Sequence, residues 1–266
     1  MSDAPVAIVT GASSGIGLAT AGQLAARGFT VYGASRRLPA GEVGWRHLRM
    51  DVCDEAAVRD GVARVVAEAG RVDALVCNAG FGIFGSVEET GLPRARAQFE
   101  TNVFGTLNPI RAVLPHMRER RAGRIVLVGS LAGRAPIPFQ THYSMTKAAV
   151  DALAGGLGLE VAAFGIAVVL IEPGDIRTAF NDATDWGEVA GSAYGERMRA
   201  CERVIRESLE VAPGPEVVAA TIVRALGARR PRRRYTVGPA SWLVPLVRRL
   251  LPDGVHGRLV RRHFRV

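Results

Sequence analysis

Lysine is almost missing from this 266-residue chain. Lys and Arg together number 34, and Lys147 alone is a lysine. Cysteine is scarce as well. Cys53, Cys77 and Cys201 are far apart, odd in number and lack Cys-x-x-Cys spacing, which argues against a disulfide framework or a zinc site. No metal is therefore expected. Aromatic residues make up only 6% of the chain. No apolar run approaches the ~20 residues of a membrane-spanning helix. The N-terminus has no basic region leading into an apolar stretch, so the expectation is a cytoplasmic protein without a signal peptide. Between Leu18 and Gly41 there is no Asp or Glu at all.

What is present suits one large α/β domain. A hydrophobic fraction of 48% and 31 glycines fit a buried parallel sheet with tight turns between strands and helices. The formal net charge of +9 is placed unevenly. From Arg224 to Val266 twelve arginines stand against one acid, Asp253, so residues 1–223 sum to −2.

Strands are expected at 6–10, 29–34, 46–50, 74–77, 124–128, 166–171 and 235–237. Helices are expected at 15 to about 27, 54–69 with Asp54 as N-cap, about 94–117 with a kink at Pro109, 143–163 and 216–228. Strands alternating with helices imply βαβ units and a doubly wound parallel sheet with helices on both faces.

The lone lysine lies four residues after a tyrosine, in Tyr143-Ser144-Met145-Thr146-Lys147. On a helix that spacing stacks the two side chains on one face. An ammonium beside a phenol lowers the phenol's pKa towards neutral, as a tyrosine acid/base requires. Codon bias towards Arg explains the other positions but not this one's neighbour. His142 diverges from Tyr143 by about 100° around a helix and is expected to be structural.

Gly11, Ser13, Ser14, Gly15, Ile16 and Gly17 fall between the first strand and the first helix, in a Gly-x-x-x-Gly-x-Gly spacing. Glycine there permits a tight turn and close backbone approach to a pyrophosphate at the helix N-terminus. A site for NAD usually places an acid about 20 residues further on, and NADP calls for Arg. Here the acid is missing and the second strand runs into Ser35-Arg36-Arg37. The expected cofactor is NADP(H), with Arg36 foremost and Ser35 and Arg37 assisting. The alternative is that both guanidiniums are solvated loop charges.

The glycine turn, Asn78-Ala79-Gly80, Asn102, Ser130, Tyr143-x-x-x-Lys147 and Pro173-Gly174 follow one another in the order of the short-chain dehydrogenase/reductase family. The chain resembles that family over about residues 5–240. Cys77 departs from the family, which often has Asn there, at a position expected to be structural. The resemblance implies a single Rossmann-type domain, nicotinamide dependence and a homodimer or homotetramer. It implies Tyr143 as proton donor to a carbonyl and Ser130 as holder of its oxygen. Lys147 would lower the tyrosine pKa and bind the nicotinamide ribose, and Asn102 would anchor a water relaying protons to Lys147. Asp51 and Val52 resemble the pair that cradles adenine, and Asn78, Ala79 and Gly80 the wall beside its ribose. Pro173, Gly174, Ile176 and Thr178 resemble contacts to the carboxamide and phosphates.

Residues 1–238 thus read as an NADP(H)-binding catalytic domain with a lid over about 179–211, followed by a basic, apolar extension, 239–266. Leu131, Phe139 and Phe180 are the foremost substrate candidates, with Ala132, Ile137, Phe81 and Phe84 beside them. The apolar and aromatic bias there suggests a hydrophobic ketone, aldehyde or alcohol. Asn78 to Phe84 and Glu172 to Thr178 look most like the 17β-hydroxysteroid and retinol dehydrogenase branch. Three readings of the extension stand: packing on the body or a sister subunit, lying on an anionic membrane surface, or binding nucleic acid. No reader motif supports specific nucleic-acid recognition. Besides an NADPH-dependent carbonyl reductase, a catalytically silent NADP(H)-binding regulator and a peripheral-membrane protein acting through the tail remain as alternatives.

Overall fold

The computed structural model describes residues 4–182, 184–187, 191–239 and 241–266. Positions 1–3 of the expected domain, 183 and 188–190 of the expected lid and 240 of the extension lie outside the described residues.

Apolar β-branched runs alternate with helices throughout. β1 (Val6–Thr10), α1 (Gly15–Ala25), β2 (Thr30–Ser35), β3 (Arg46–Arg49), α2 (Glu55–Ala69) and β4 (Ala74–Cys77) form the first half. Asp54 caps α2 as expected, its side chain accepting from Ala57 N, and Gly70 ends the helix in the left-handed region. A short β5 (Ile83–Phe84) and α3 (Leu92–Phe99) follow, then a π-helical turn (Glu100–Phe104) and α4 (Gly105–Glu119). The expected single helix is therefore broken, and the break is not at Pro109, which sits inside α4. The π turn carries Asn102, and one extra residue per turn rotates it relative to an uninterrupted helix.

β6 (Gly123–Val128), α5 (Thr141–Glu160) and β7 (Ile166–Pro173) come next. The expected lid consists of α6 (Ala179–Asp182), β8 (Asp185–Trp186) and the 16-residue helix α7 (Gly195–Glu210). Then come α8 (Glu216–Gly227), β9 (Arg234–Val237), α9 (Leu243–Leu250) and α10 (Asp253–Phe264).

Seven parallel strands are ordered β3-β2-β1-β4-β6-β7-β9. The order reverses between β1 and β4, the switch point at which doubly wound sheets bind ligands. Period-two alternation feeds one core on each face. Ile8, Leu75, Ile125, Leu127 and Leu170 meet α2, α4 and α5 on one side. Val9, Val76, Val126, Val169 and Ile171 meet α1 and α8 on the other. Cys77 is buried in the first core, where burial pushes its thiol pKa up, in keeping with a structural role. β5 pairs with β8 as a separate parallel pair, tying the segment after α6 back to the body. Among the described residues no helix is long and apolar enough to cross a membrane.

Candidate active site

The glycine turn is built by backbone proximity at the switch point. Thr10 Oγ1 accepts from Asn78 N at 3.0 Å and Ala79 N at 3.1 Å. Asn78 Nδ2 returns bonds to the carbonyls of Thr10 at 3.1 Å and Gly11 at 3.4 Å. These bonds draw the end of β4 against the turn after β1. Gly11 and Gly15 have φ of +67° and +53°, where side chains are strained. A Cβ on Gly17 would lie 2.2 Å from the Gly11 carbonyl oxygen. Gly17 is buried behind the turn and acts by permitting α1 to approach it. The side chain of Ser14 caps no N–H of α1, and that helix has no acid in its first turn. Its N-terminal amides are thus suited to an anion, and the glycines leave room for a pyrophosphate.

A cavity of about 560 Å³ opens along the carboxyl ends of the strands. Gly11, Ser13, Ser14, Gly15 and Ile16 form one stretch of its wall. Ser35, Arg36, Arg37, Asp51 and Val52 form another, with both guanidiniums exposed. The buried Ser35 hydroxyl donates to the Arg37 carbonyl at 2.7 Å, shaping the turn that presents the arginines. Asn78, Ala79 and Gly80 stand opposite, and Pro173, Gly174, Ile176 and Thr178 close the far side. The residues expected around a dinucleotide are thus gathered on one cavity, with Gly17 as the exception just behind it.

Ser130, Tyr143 and Lys147 line the same cavity. Gly133 lets the Ser130 turn seat directly on α5, since a Cβ there would come within 2.8 Å of the Lys147 backbone. An ion network centred on the buried Glu172 then ties four elements together. Arg134 Nε lies 3.2 Å from Glu172 Oε1, and Arg234 reaches Glu172 at 2.7 Å and Asp151 at 2.6 Å. Burial raises the Glu172 pKa, against the opposing pull of Arg234 and Arg134.

The electrostatics differ from the sequence expectation. Lys147 does not bring the Tyr143 phenol down. Tyr143 is only half-open to solvent at the cavity wall, and its surroundings push its pKa up to about 12, with the Ser130 hydrogen bond opposing. Lys147 Nζ stands 5.6 Å from the tyrosine ring centroid and donates to the Val128 carbonyl at 2.8 Å. It is itself buried, and loss of hydration brings its pKa down to about 8. Loss of hydration is the leading cause of both shifts.

Asn102 is held by direct contacts within the protein. Its amide is buried, accepts from Phe81 N at 3.0 Å, and donates to Phe81 O at 3.0 Å and Thr146 Oγ1 at 3.1 Å. The side chain fixes the loop after Gly80 to α5 through Thr146. His142 is buried off the cavity wall, its pKa lowered by burial and by Arg94.

Of the foremost substrate candidates, Phe180 lines the cavity, its ring 5.6 Å from that of Tyr143. Leu131 and Phe139 do not line it. Leu131 is buried beside Gly174. Phe139, in the left-handed region at φ +60°, packs against Phe84 and Tyr194 instead. Phe81 and Ile137 do reach the wall. From the expected lid, the wall takes Val204, Ile205, Ser208 and Leu209 of α7, residues the sequence did not single out, and it takes His263 and Phe264 of α10 from outside every expected contact. The first four show paired i, i+4 spacing, a usable helix signal. Nothing local marks the last two, because chain folding alone brings the C-terminal end back to the site.

A doubly wound sheet with a glycine turn at its switch point and a Tyr/Lys/Ser group on the same cavity defines a nucleotide-dependent oxidoreductase scaffold. The chain belongs to the short-chain dehydrogenase family, whose model matches residues 5–188. It is similar to the 3-ketodihydrosphingosine reductase of Bacteroides thetaiotaomicron, at 37% identity over 237 residues and 88% of each chain. It is also similar to human 17-beta-hydroxysteroid dehydrogenase type 1, at 33% identity over 276 residues, 93% of this chain and 81% of that one. The crystal structure of a short-chain dehydrogenase from Streptomyces avermitilis matches with a TM-score of 0.84 at 36% identity, covering 98% of this chain and 97% of that one.

The glycine geometry gives a direct test. Gly17→Ala should weaken dinucleotide binding by more than about tenfold, roughly 1.4 kcal/mol, as read by titration calorimetry. An affinity equal to wild type would mean that the close approach of α1 to the turn is dispensable.

Proposed function

We propose that this chain is an NADPH-dependent reductase of ketones or aldehydes on hydrophobic small molecules, reversible in direction. The observation that carries this reading is the meeting of Ser130, Tyr143 and Lys147 with the glycine turn and Arg36/Arg37 on one cavity. A bound nicotinamide supplies hydride chemistry. Tyr143 holds a proton at its phenol oxygen across the physiological range, the state needed to protonate the oxygen of a carbonyl as it is reduced. Ser130 beside it holds that oxygen in place. Lys147, charged below about pH 8, orients the ribose and keeps positive potential where negative charge develops. Arg36 and Arg37 supply guanidiniums for a 2′-phosphate, and no carboxylate from Leu18 to Gly41 opposes it.

The apolar character of the substrate follows from the wall beside Tyr143. Phe180, Ile137, Val204, Ile205, Leu209 and Phe264 supply hydrocarbon, interrupted by the polar groups of Gln140, Asp175, Asn181, Ser208 and His263. The names of the two relatives, a ketosphingosine reductase and a hydroxysteroid dehydrogenase, agree with ketone–alcohol chemistry on such a molecule.

Tyr143→Phe should bind NADPH with wild-type affinity yet lose turnover by about three orders of magnitude or more, the general-acid contribution. Near-native turnover in that variant would remove Tyr143 from the chemistry. In wild type, carbonyl reduction should fall as pH rises through about 8, where Lys147 loses its proton while Tyr143 keeps its own. A rate that stays flat to pH 10 would show that the ammonium is not needed. NADPH should be preferred to NADH, and Arg36→Asp should lower kcat/KM for NADPH by about tenfold or more without a matching loss for NADH. Preference for NADH in the wild type would refute the arginine assignment.

A further inference from the structure

The two C-terminal helices leave apolar side chains uncovered. On α9, Leu243, Leu246 and Leu250 recur at i, i+3, i+7 and all stand exposed, Leu250 by 68%. Trp242, just before them, is 62% exposed. α10 turns His256, Val260 and Phe264 partly inward and leaves Val255 and Leu259 outward beside Arg258 and Arg262. Phe264 and Val266 anchor the pair on the cluster of Phe84, Met198 and Cys201. None of the described residues of either helix is fully buried. The one acid in the pair, Asp253, is bound by Arg248 at 2.6 Å. Arg249, Arg258, Arg261 and Arg262 make no ion pair with a described residue.

We propose that the outer face of α9 and α10 docks on the surface of an anionic lipid bilayer. Helices of 8 and 12 residues are too short to span one. Lying in the interface, they would place Trp242 and the leucines at the acyl boundary and the arginines among the headgroups. Charge complementarity selects this occupant over a second copy of the chain. A two-fold pairing of this face would set the unpaired arginines of both copies against one another, with a single, already paired acid on each side.

The same helix meets the substrate space. His263 and Phe264 on the inner edge of α10 line the cavity that holds Tyr143. A hydrophobic ketone dissolved in the bilayer therefore has its route to the site beside the helix that rests on the lipid. This delivery step rests on the proposed reductase activity; the docking does not.

Flotation of the full chain with vesicles separates the outcomes. Phosphatidylglycerol/phosphatidylcholine vesicles should carry the protein upward at low salt, and pure phosphatidylcholine vesicles should carry much less. Leu246→Asp/Leu250→Asp, at two exposed positions, should stay at the bottom of the gradient while reducing a short water-soluble aldehyde at the wild-type rate. Arg258→Gln/Arg262→Gln should weaken flotation on the anionic vesicles and guards against misfolding of the first variant. Failure of the wild type to float with anionic vesicles overturns docking, as does undiminished flotation of both variants. So does a wild-type oligomer that Leu246→Asp/Leu250→Asp dissociates without any vesicle binding, which would assign the face to a second copy. Delivery predicts a several-fold loss for the leucine variant on a long-chain ketone held in vesicles but none on the soluble aldehyde. Equal loss on both substrates overturns delivery. A wild type that floats but reduces neither compound keeps docking and refutes the reductase reading.

Discussion

The site is built on the contact between the turn after β1 and the end of β4. Two parallel strands that neighbour each other at the switch point leave their carboxyl ends side by side, and the loops leaving them need to diverge. Here Thr10 and Asn78 bond each other's backbones, so the loops start in contact. Gly11 and Gly17 follow from that contact because no Cβ fits at either position. The exposed amides of α1, the wall formed by Asn78, Ala79 and Gly80, and the position of the cavity all depend on it.

The chemistry depends on a second constraint, the burial of charge. Lys147 is held under the Val128 carbonyl in a region with little water, and burial dominates its titration. The same environment keeps Tyr143 protonated. The Ser130 turn sits against Lys147 through Gly133, and the Arg134–Glu172–Arg234–Asp151 network fastens that arrangement to β7, β9 and α5. An ion network that leaves Glu172 nearly inaccessible adds little net stability, since desolvation offsets most of the attraction. Its geometric effect is larger: it fixes which element faces which.

The substrate side is organised differently. Rings and aliphatic chains from α6, α7 and α10 meet over the cavity. Phe84, Met198, Cys201 and Phe264 form the small core that joins these elements to the body. The short pairing of β5 with β8 adds two registered residue pairs to that junction. Ion pairing of Arg94 with Asp185 and the Tyr194 hydroxyl bond to Glu88 add side-chain ties between the same segments.

The strands of the main sheet, the Asp54 cap and the residues around the glycine turn were legible in the sequence because period-two apolar runs, an N-cap and glycine spacing are local signals. The Tyr143–Lys147 pairing was legible for the same reason, as a one-turn helical spacing. The π turn at 100–104 was not, since its registry depends on Asn102 reaching Phe81 and Thr146 across the fold. The direction of the Tyr143 pKa was not legible, because a one-turn spacing reports proximity but not hydration. The withdrawal of Leu131 and Phe139 from the cavity and the arrival of His263 and Phe264 were equally invisible, because both rest on contacts between distant segments. The sequence by itself determined the strand–helix order, the glycine turn and the one-turn spacing of Tyr143 and Lys147. Only tertiary structure decided how deeply those groups are buried and which residues close the cavity, because desolvation and long-range packing arise when segments far apart in the chain come to share one volume.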